Sequence, residues 1–350
     1  MKKPQFIAVL AVIILGGSLP ALADAQVNFY EGKTITLLAT RAAGGTSDLR
    51  TRAVLTFLKK HIPGNPNIVM AYMDGGGGRK GANHLYSSVK PDGLTIGAAS
   101  GTMISLAVMG ESGVNYDIDK FIYLGTPDHE NSNVIYTRRE LGLDTIEKLR
   151  AASGLRIGAQ SVGAVSYVAG RMFAYLIGLK DAKFIAGYTS LEIDAALTQG
   201  ELDARANNAI SVLRRNPEWL DKKLMNFHSI VEVPKGERHP RLVHLPEIET
   251  FARSERERRL ISLFRGFRAV GSPFILPPGT PKDIVQILEA AFRRIAKDPE
   301  FPVYFHKLVA DDASPLGPEE LKKIVADIPR DREVIDQLKQ LSGAGPLPPR

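Results

Sequence analysis

Short apolar runs alternate with segments of helical spacing along most of this chain, and that alternation restricts it to a layered α/β architecture. The runs TITLLAT (34–40), NIVMAYM (67–73), LTIGAAS (94–100), FIYLG (121–125), NVIYTR (133–138), LRIGAQS (155–161), AKFIAGY (182–188) and DARANNA (203–209) predict strands. Between them, Leu49, Ala53, Val54, Phe57 and Leu58 form one helical stripe, and Val168, Met172, Phe173 and Leu176 form another. The final quarter predicts helix almost throughout. There Thr280 and Pro281 serve as N-cap and first helical residue of DIVQILEAAFRRIAK, and GPEELKKIVADI follows. GSPFILPPGTP (271–281) predicts a loop, and SGAGPLPPR a loose tail. Two βα series followed by a helical segment fit two lobes better than one.

The N-terminus narrows the place of work. Lys2 and Lys3 precede an apolar and small segment from Phe6 to Gly17, then Pro20 and Ala21-Leu22-Ala23. This is the layout of a secretory signal peptide, cleaved after Ala23 or alternatively Ala25. The core is shorter than the roughly twenty residues that span a bilayer, so the mature chain is read as exported and soluble. Cysteine is absent, which removes thiol nucleophiles, cysteine-bound zinc and iron–sulfur clusters. The net charge of +7 comes with no basic block interleaved with aromatics, so nucleic acid is not the expected partner.

Gly-rich and Ser-rich turns follow several strands. AAGGTSD places Gly44 and Gly45 at a strand end and Thr46 or Ser47 at a helix N-cap, where free backbone N–H groups attract an anion. GAQSVGAVSY offers Ser161, Gly163 and Ser166 in the same way, and GYTSLE (187–192) is a further such turn. With one anion-binding turn in each lobe, a ligand would be pinched in a cleft. Gly76, Gly78 and Gly81 form a G-x-G-x-x-G, but no acid closes the next strand, so a dinucleotide site is not expected. The complete G-x-x-x-x-G-K-[ST] P-loop pattern does not occur, and there is no G-x-S-x-G elbow. His239 and His244, with Pro240 between them, suit a surface loop better than a metal site, and Glu255/Glu257 and Glu319-Glu320 read as solvated helix faces. Acid–base catalysis therefore has no cast of residues. The expectation is a binder with no catalytic residue, cofactor or metal.

Taken in order, AAGGTSD, DGGGGRKGAN with KPDGLTIGAASGT, GYTSLEIDAALTQGELDA, LPEIETFA, PFILPPGTP and DPEF resemble the landmarks of the Bug family, the periplasmic receptors of tripartite tricarboxylate transporters. The resemblance covers nearly the whole mature chain. It implies an α/β type II periplasmic binding protein fold, a Venus flytrap of two lobes around a cleft. The implied division is a leader at 1–23, lobe 1 at 24–128 and 263–345, lobe 2 at 129–262, and a tail at 346–350.

The resemblance also implies a small organic acid, a mono- or dicarboxylate, held by Gly45, Thr46 and Asp48 on one side and Ser161, Gly163, Ala164 and Ser166 on the other. Asn207 takes a polar position facing the cleft. The implied partners are the membrane permease subunits of such a transporter, with the receptor a monomer in the periplasm. A sensor reporting to a signalling partner and, more remotely, an exported α/β enzyme are the alternatives. This chain departs from the family pattern at Thr40 and Arg41, where Pro and an aromatic residue are usual, and at Tyr167, often His. Its loop after Tyr188 is also a residue shorter. Arg41 reads either as a solvated rim residue or as a charge partner for a second carboxylate.

Overall fold

The computed structural model describes residues 29–44, 46–130 and 132–350. The expected leader and Gly45 lie outside the described residues. Two five-stranded sheets form the two lobes. The first runs β2 (Asn67–Tyr72), β1 (Thr34–Ala39), β3 (Thr95–Ala98), β10 (Phe274–Leu276) and β4 (Ile122–Gly125). The second runs β7 (Lys183–Ala186), β6 (Arg156–Ala159), β8 (Ala204–Asn208), β5 (Asn133–Arg138) and β9 (Met225–Val231). The α/β two-lobed architecture is the one expected.

Eight strands coincide with the predicted runs, and two do not. β10 sits inside the segment read as a loop and enters antiparallel between β3 and β4. It is three residues long and fully buried, too short for any periodicity to show. β9 carries Asn226 and His228 within its apolar residues, which hides the strand pattern.

The first lobe carries the helices α1 (Thr46–His61), α2 (Arg79–Ser87) and α3 (Thr102–Val108). In the second lobe come α4 (Ile146–Ala151), α5 (Val165–Ile177), α6 (Ser190–Gln199), α7 (Ala209–Arg215) and α8 (Pro217–Asp221). After α9 (Glu255–Ala269) follow α10 (Lys282–Lys297), α11 (Glu300–Val309), α12 (Pro318–Asp327) and α13 (Arg332–Ser342). The N-cap of α10 is Pro281 and not Thr280, whose hydroxyl instead donates to the Pro277 carbonyl at 2.9 Å.

Ile35, Leu37, Val54, Phe57, Leu288, Phe292 and Phe301 bury one face of the first sheet beneath α1, α10 and α11. In the second lobe Val134, Tyr136, Ile193, Leu197 and Trp219 form a separate core. A third cluster joins the lobes, because α13 packs on both α9 and α5. The expected boundary at residue 262 falls inside α9.

Two strands of chain cross between the lobes side by side. One leaves β4 through Thr126–Asp128, and the other returns from α9 through Gly271–Ser272. The Ser272 amide donates to Thr126 Oγ1 at 3.0 Å and to Asp128 Oδ1 at 3.1 Å. The ending read as a loose tail is tied down. Buried Arg171 donates to the carbonyls of Leu341 at 2.9 Å and Gly345 at 2.8 Å, and Arg350 pairs with buried Glu257 at 2.7 Å. Glu257 is therefore an internal carboxylate, not part of a solvated face.

Candidate functional site

Both lobes repeat one local device, a parallel strand, a glycine-bearing turn and a helix that starts at the strand's carboxyl end: β1 into α1, and β6 into α5. Ligands of open α/β sheets bind at those ends, where helix N-termini present free N–H groups. The α5 N-cap is Ala164, with extended backbone and no side-chain cap, so the first amides of α5 have no side-chain acceptor there. Gly163 before it holds φ +77°, a conformation that suits glycine.

A cleft of about 260 Å³ lies between the lobes. Arg41, Ser47 and Arg50 line it from the β1–α1 region, and Ser100, Thr102 and Ser105 from the β3–α3 region. Gly163, Val165 and Val168 come from the second lobe, Phe264, Phe267 and Arg268 from α9, Asp128 and Ser272 from the crossovers, and Leu338 and Ser342 from α13.

Three guanidinium groups dominate its charge. Arg50 donates to Asp128 at 2.6 Å and to Asp311 at 2.9 Å, and is matched by both. Arg41 donates to the carbonyls of Ser47 at 3.1 Å and Ala98 at 3.3 Å, and also to that of Ala99. It pins the ends of β1 and β3 to the start of α1. Desolvation lowers its pKa, against the pull of Asp128. Desolvation also brings Arg268 down to about 10, with Asp128 opposing and Arg50 adding to the fall, so Arg268 stays charged at neutral pH. The Nε atoms of Arg41, Arg50 and Arg268 are all buried and have no hydrogen-bond partner among the described residues. Such a cleft attracts an anion.

Of the residues singled out in the sequence, Arg41, Ser47 and Gly163 line this cleft. Thr46 and Ser161 are exposed beside it in sequence, and Ala164 caps α5. Ser166 keeps a buried hydroxyl with no partner among the described residues. Asp48 is buried and occupied within its own lobe: it accepts from the Gly44 amide at 3.0 Å, Arg52 at 3.0 Å and the Tyr72 hydroxyl at 2.9 Å. Burial alone would raise its pKa, but these three bonds together hold it below the ordinary range. It therefore shapes the β1–α1 turn. Asn207 is buried in β8, its Oδ1 accepting from the Asn208 amide at 2.9 Å. The GYTSLE turn closes on itself through a capping box between Thr189 and Glu192.

Sequence reasoning passed over Arg50, Asp128 and Arg268. The signal for Arg268 was faint: a cation on an α9 face that otherwise carries Phe264, Phe267 and other apolar residues toward the interior.

The other turns and histidines have structural explanations. Gly81 belongs to α2, where a Cβ would meet Thr40 Cγ2 at 2.6 Å, so the glycine loop is a close packing of helix on strand. His239 accepts from the Arg241 amide at 3.2 Å, and His244 is exposed. Among the described residues, His129, Glu130 and Glu237 bring one ligand-type atom each within 4.8 Å of one another. Among the described residues no histidine lines the cleft.

No family model matches the sequence, and no curated protein does. Solved structures are similar along nearly the full length. A TctC solute-binding protein from Polaromonas, without ligand, has a TM-score of 0.65 at 18% identity, over 89% of this chain and 98% of that one. Rpa4515 of R. palustris, solved with adipate, has a TM-score of 0.58 at 19% identity, over 88% and 97%. MatC from Rhodopseudomonas palustris, with bound malate, has a TM-score of 0.54 at 19% identity, over 89% and 99%. The chain thus has the fold of the TctC and Bug type of periplasmic solute-binding protein.

Proposed function

We propose that this chain is a periplasmic receptor of the Bug type, which captures a small organic acid in the cleft between its lobes and hands it to the permease subunits of a tripartite tricarboxylate transporter. The observation that carries the reading is the surplus of guanidinium charge in the cleft, where Arg41, Arg50 and Arg268 stand against the carboxylate of Asp128, and Asp311 reaches Arg50 from outside the lining. The turn at Gly163 and the uncapped amides of α5 beside it supply backbone donors for a carboxylate. Gly45, Thr46, Ser161, Ala164, Ser166 and Asn207 complete the proposed binding set, with Asp48 holding the first turn in shape. The fold it shares with MatC, solved with bound malate, and with Rpa4515, solved with adipate, supports the same ligand class. The protein acts by binding and closure about the paired crossovers, not by turnover.

The test is a thermal-shift screen of the purified protein against short mono- and dicarboxylates and their amides, with product analysis in parallel. A receptor gives a rise in melting temperature with at least one carboxylate, none with its full amide, and no product. A product, or a panel without any shift, contradicts the reading. Intact mass of the exported protein, beginning at Asp24 or Gln26, tests the leader.

A further inference from the structure

The three arginines of the cleft are not equivalent. Arg50 is matched by Asp128 and Asp311. Arg41 spends its guanidinium on backbone carbonyls, which offer dipoles but no negative charge. Arg268, from α9, makes no ion pair with the described residues, and its Nε is shut from water with no hydrogen-bond partner among them. Two cations thus line the cleft, one from the first lobe and one from α9, without a carboxylate bonded to either.

A desolvated donor left unpaired costs free energy that a bound anion restores. A ligand with a single carboxylate satisfies the backbone donors and leaves one cation unmatched; a ligand with two satisfies both. Sites built this way reject the analogue that leaves their buried polar groups unpaired. We infer that Arg268 is the specificity-determining residue for a second anionic group, and that with Arg41 it makes the receptor selective for doubly charged organic anions. This rests on the reading of the cleft as a carboxylate site.

The experiment is calorimetry of the full mature chain with succinate, glutarate and adipate and with the half-amide of each, repeated on Arg268→Gln and Arg268→Lys. In the parent, at least one diacid should bind about 10- to 100-fold tighter than its half-amide, the span set by a charged hydrogen bond. In Arg268→Gln that ratio should fall to near one, and in Arg268→Lys it should be partly kept. Equal affinity for diacid and half-amide in the parent overturns the inference, as does a ratio that Arg268→Gln leaves intact. If Arg268→Gln does not melt cooperatively, Arg268→Lys decides: a smaller ratio supports the inference and an unchanged one sinks it. A monocarboxylate that binds while all three diacids fail removes the inference and leaves the receptor reading standing. Failure of every carboxylate removes both.

Discussion

Arg50 of α1 donates to the Asp128 carboxylate across 2.6 Å, and this bond ties the first helix of one lobe to the segment that leaves for the other. The same guanidinium reaches Asp311, beyond α11, at 2.9 Å. The charge that lines the cleft is also a fastening of the crossover beneath it.

Arg50→Gln should therefore destabilise the protein by about 2 kcal/mol, because the buried Asp128 carboxylate loses the charged hydrogen bond at Oδ2 while the Ser272 amide stays on Oδ1. Urea unfolding monitored by circular dichroism measures this. A loss of under about 1 kcal/mol would mean that the pair behaves as a surface ion pair.

The crossovers make a second demand. Gly271 has φ +62°, and a Cβ there would lie 1.7 Å from the Asp128 carbonyl oxygen. Gly271→Ala should force the two connecting segments apart and cost at least about 3 kcal/mol, combining left-handed strain with overpacking. Thermal melts would show it, and a variant as stable as the parent would refute the close approach.

Acid stability should report on His228. This side chain is buried in β9, bonded to Thr137 Oγ1 at 2.9 Å, and desolvation pulls its pKa down to about 4, against a weak opposing pull from Asp144. Between pH 4 and the ordinary value of 6.5 the unfolded chain binds a proton that the folded chain refuses, so stability falls as pH drops through that window. The contribution amounts to about 3 kcal/mol. Urea midpoints across the window should slope for the parent and flatten for His228→Gln. An equal slope in both would assign the acid sensitivity elsewhere.

How much of this could be read from residue order differs between fold and site. TITLLAT and LRIGAQS are strands because apolar runs bounded by glycine turns have few other solutions, and each is followed by the helix its spacing predicts. The Gly163 turn was legible for the same local reason. Arg268 was not, since a cation in the charged run of α9 looks solvated until α13 and the crossovers fold over it. Asp48 shows the converse: its place in a glycine turn suggests a ligand contact, yet Arg52 and Tyr72 reach it from within the lobe.

Gly163 separates the turn's role in binding from its role in folding. A Cβ there meets, among the described residues, only the Ser342 carbonyl, at 3.6 Å, so Gly163→Val should fold with a penalty of about 1–2 kcal/mol from its left-handed backbone. Carboxylate affinity should fall much further, because the added bulk stands at the turn that lines the cleft. Calorimetry beside a thermal melt distinguishes the two effects. Parent-like affinity in the folded variant would place the ligand away from α5.

The central claim is that a small carboxylate sits between the lobes. Its most direct test is a crystal structure of the mature protein with the carboxylate that gives the largest thermal shift. The expected result is ligand density in the cleft, with carboxylate oxygens within hydrogen-bond distance of the Gly163–α5 turn and of Arg41 or Arg268. Density for that ligand at another surface, with the cleft residues holding none of it, would contradict the account.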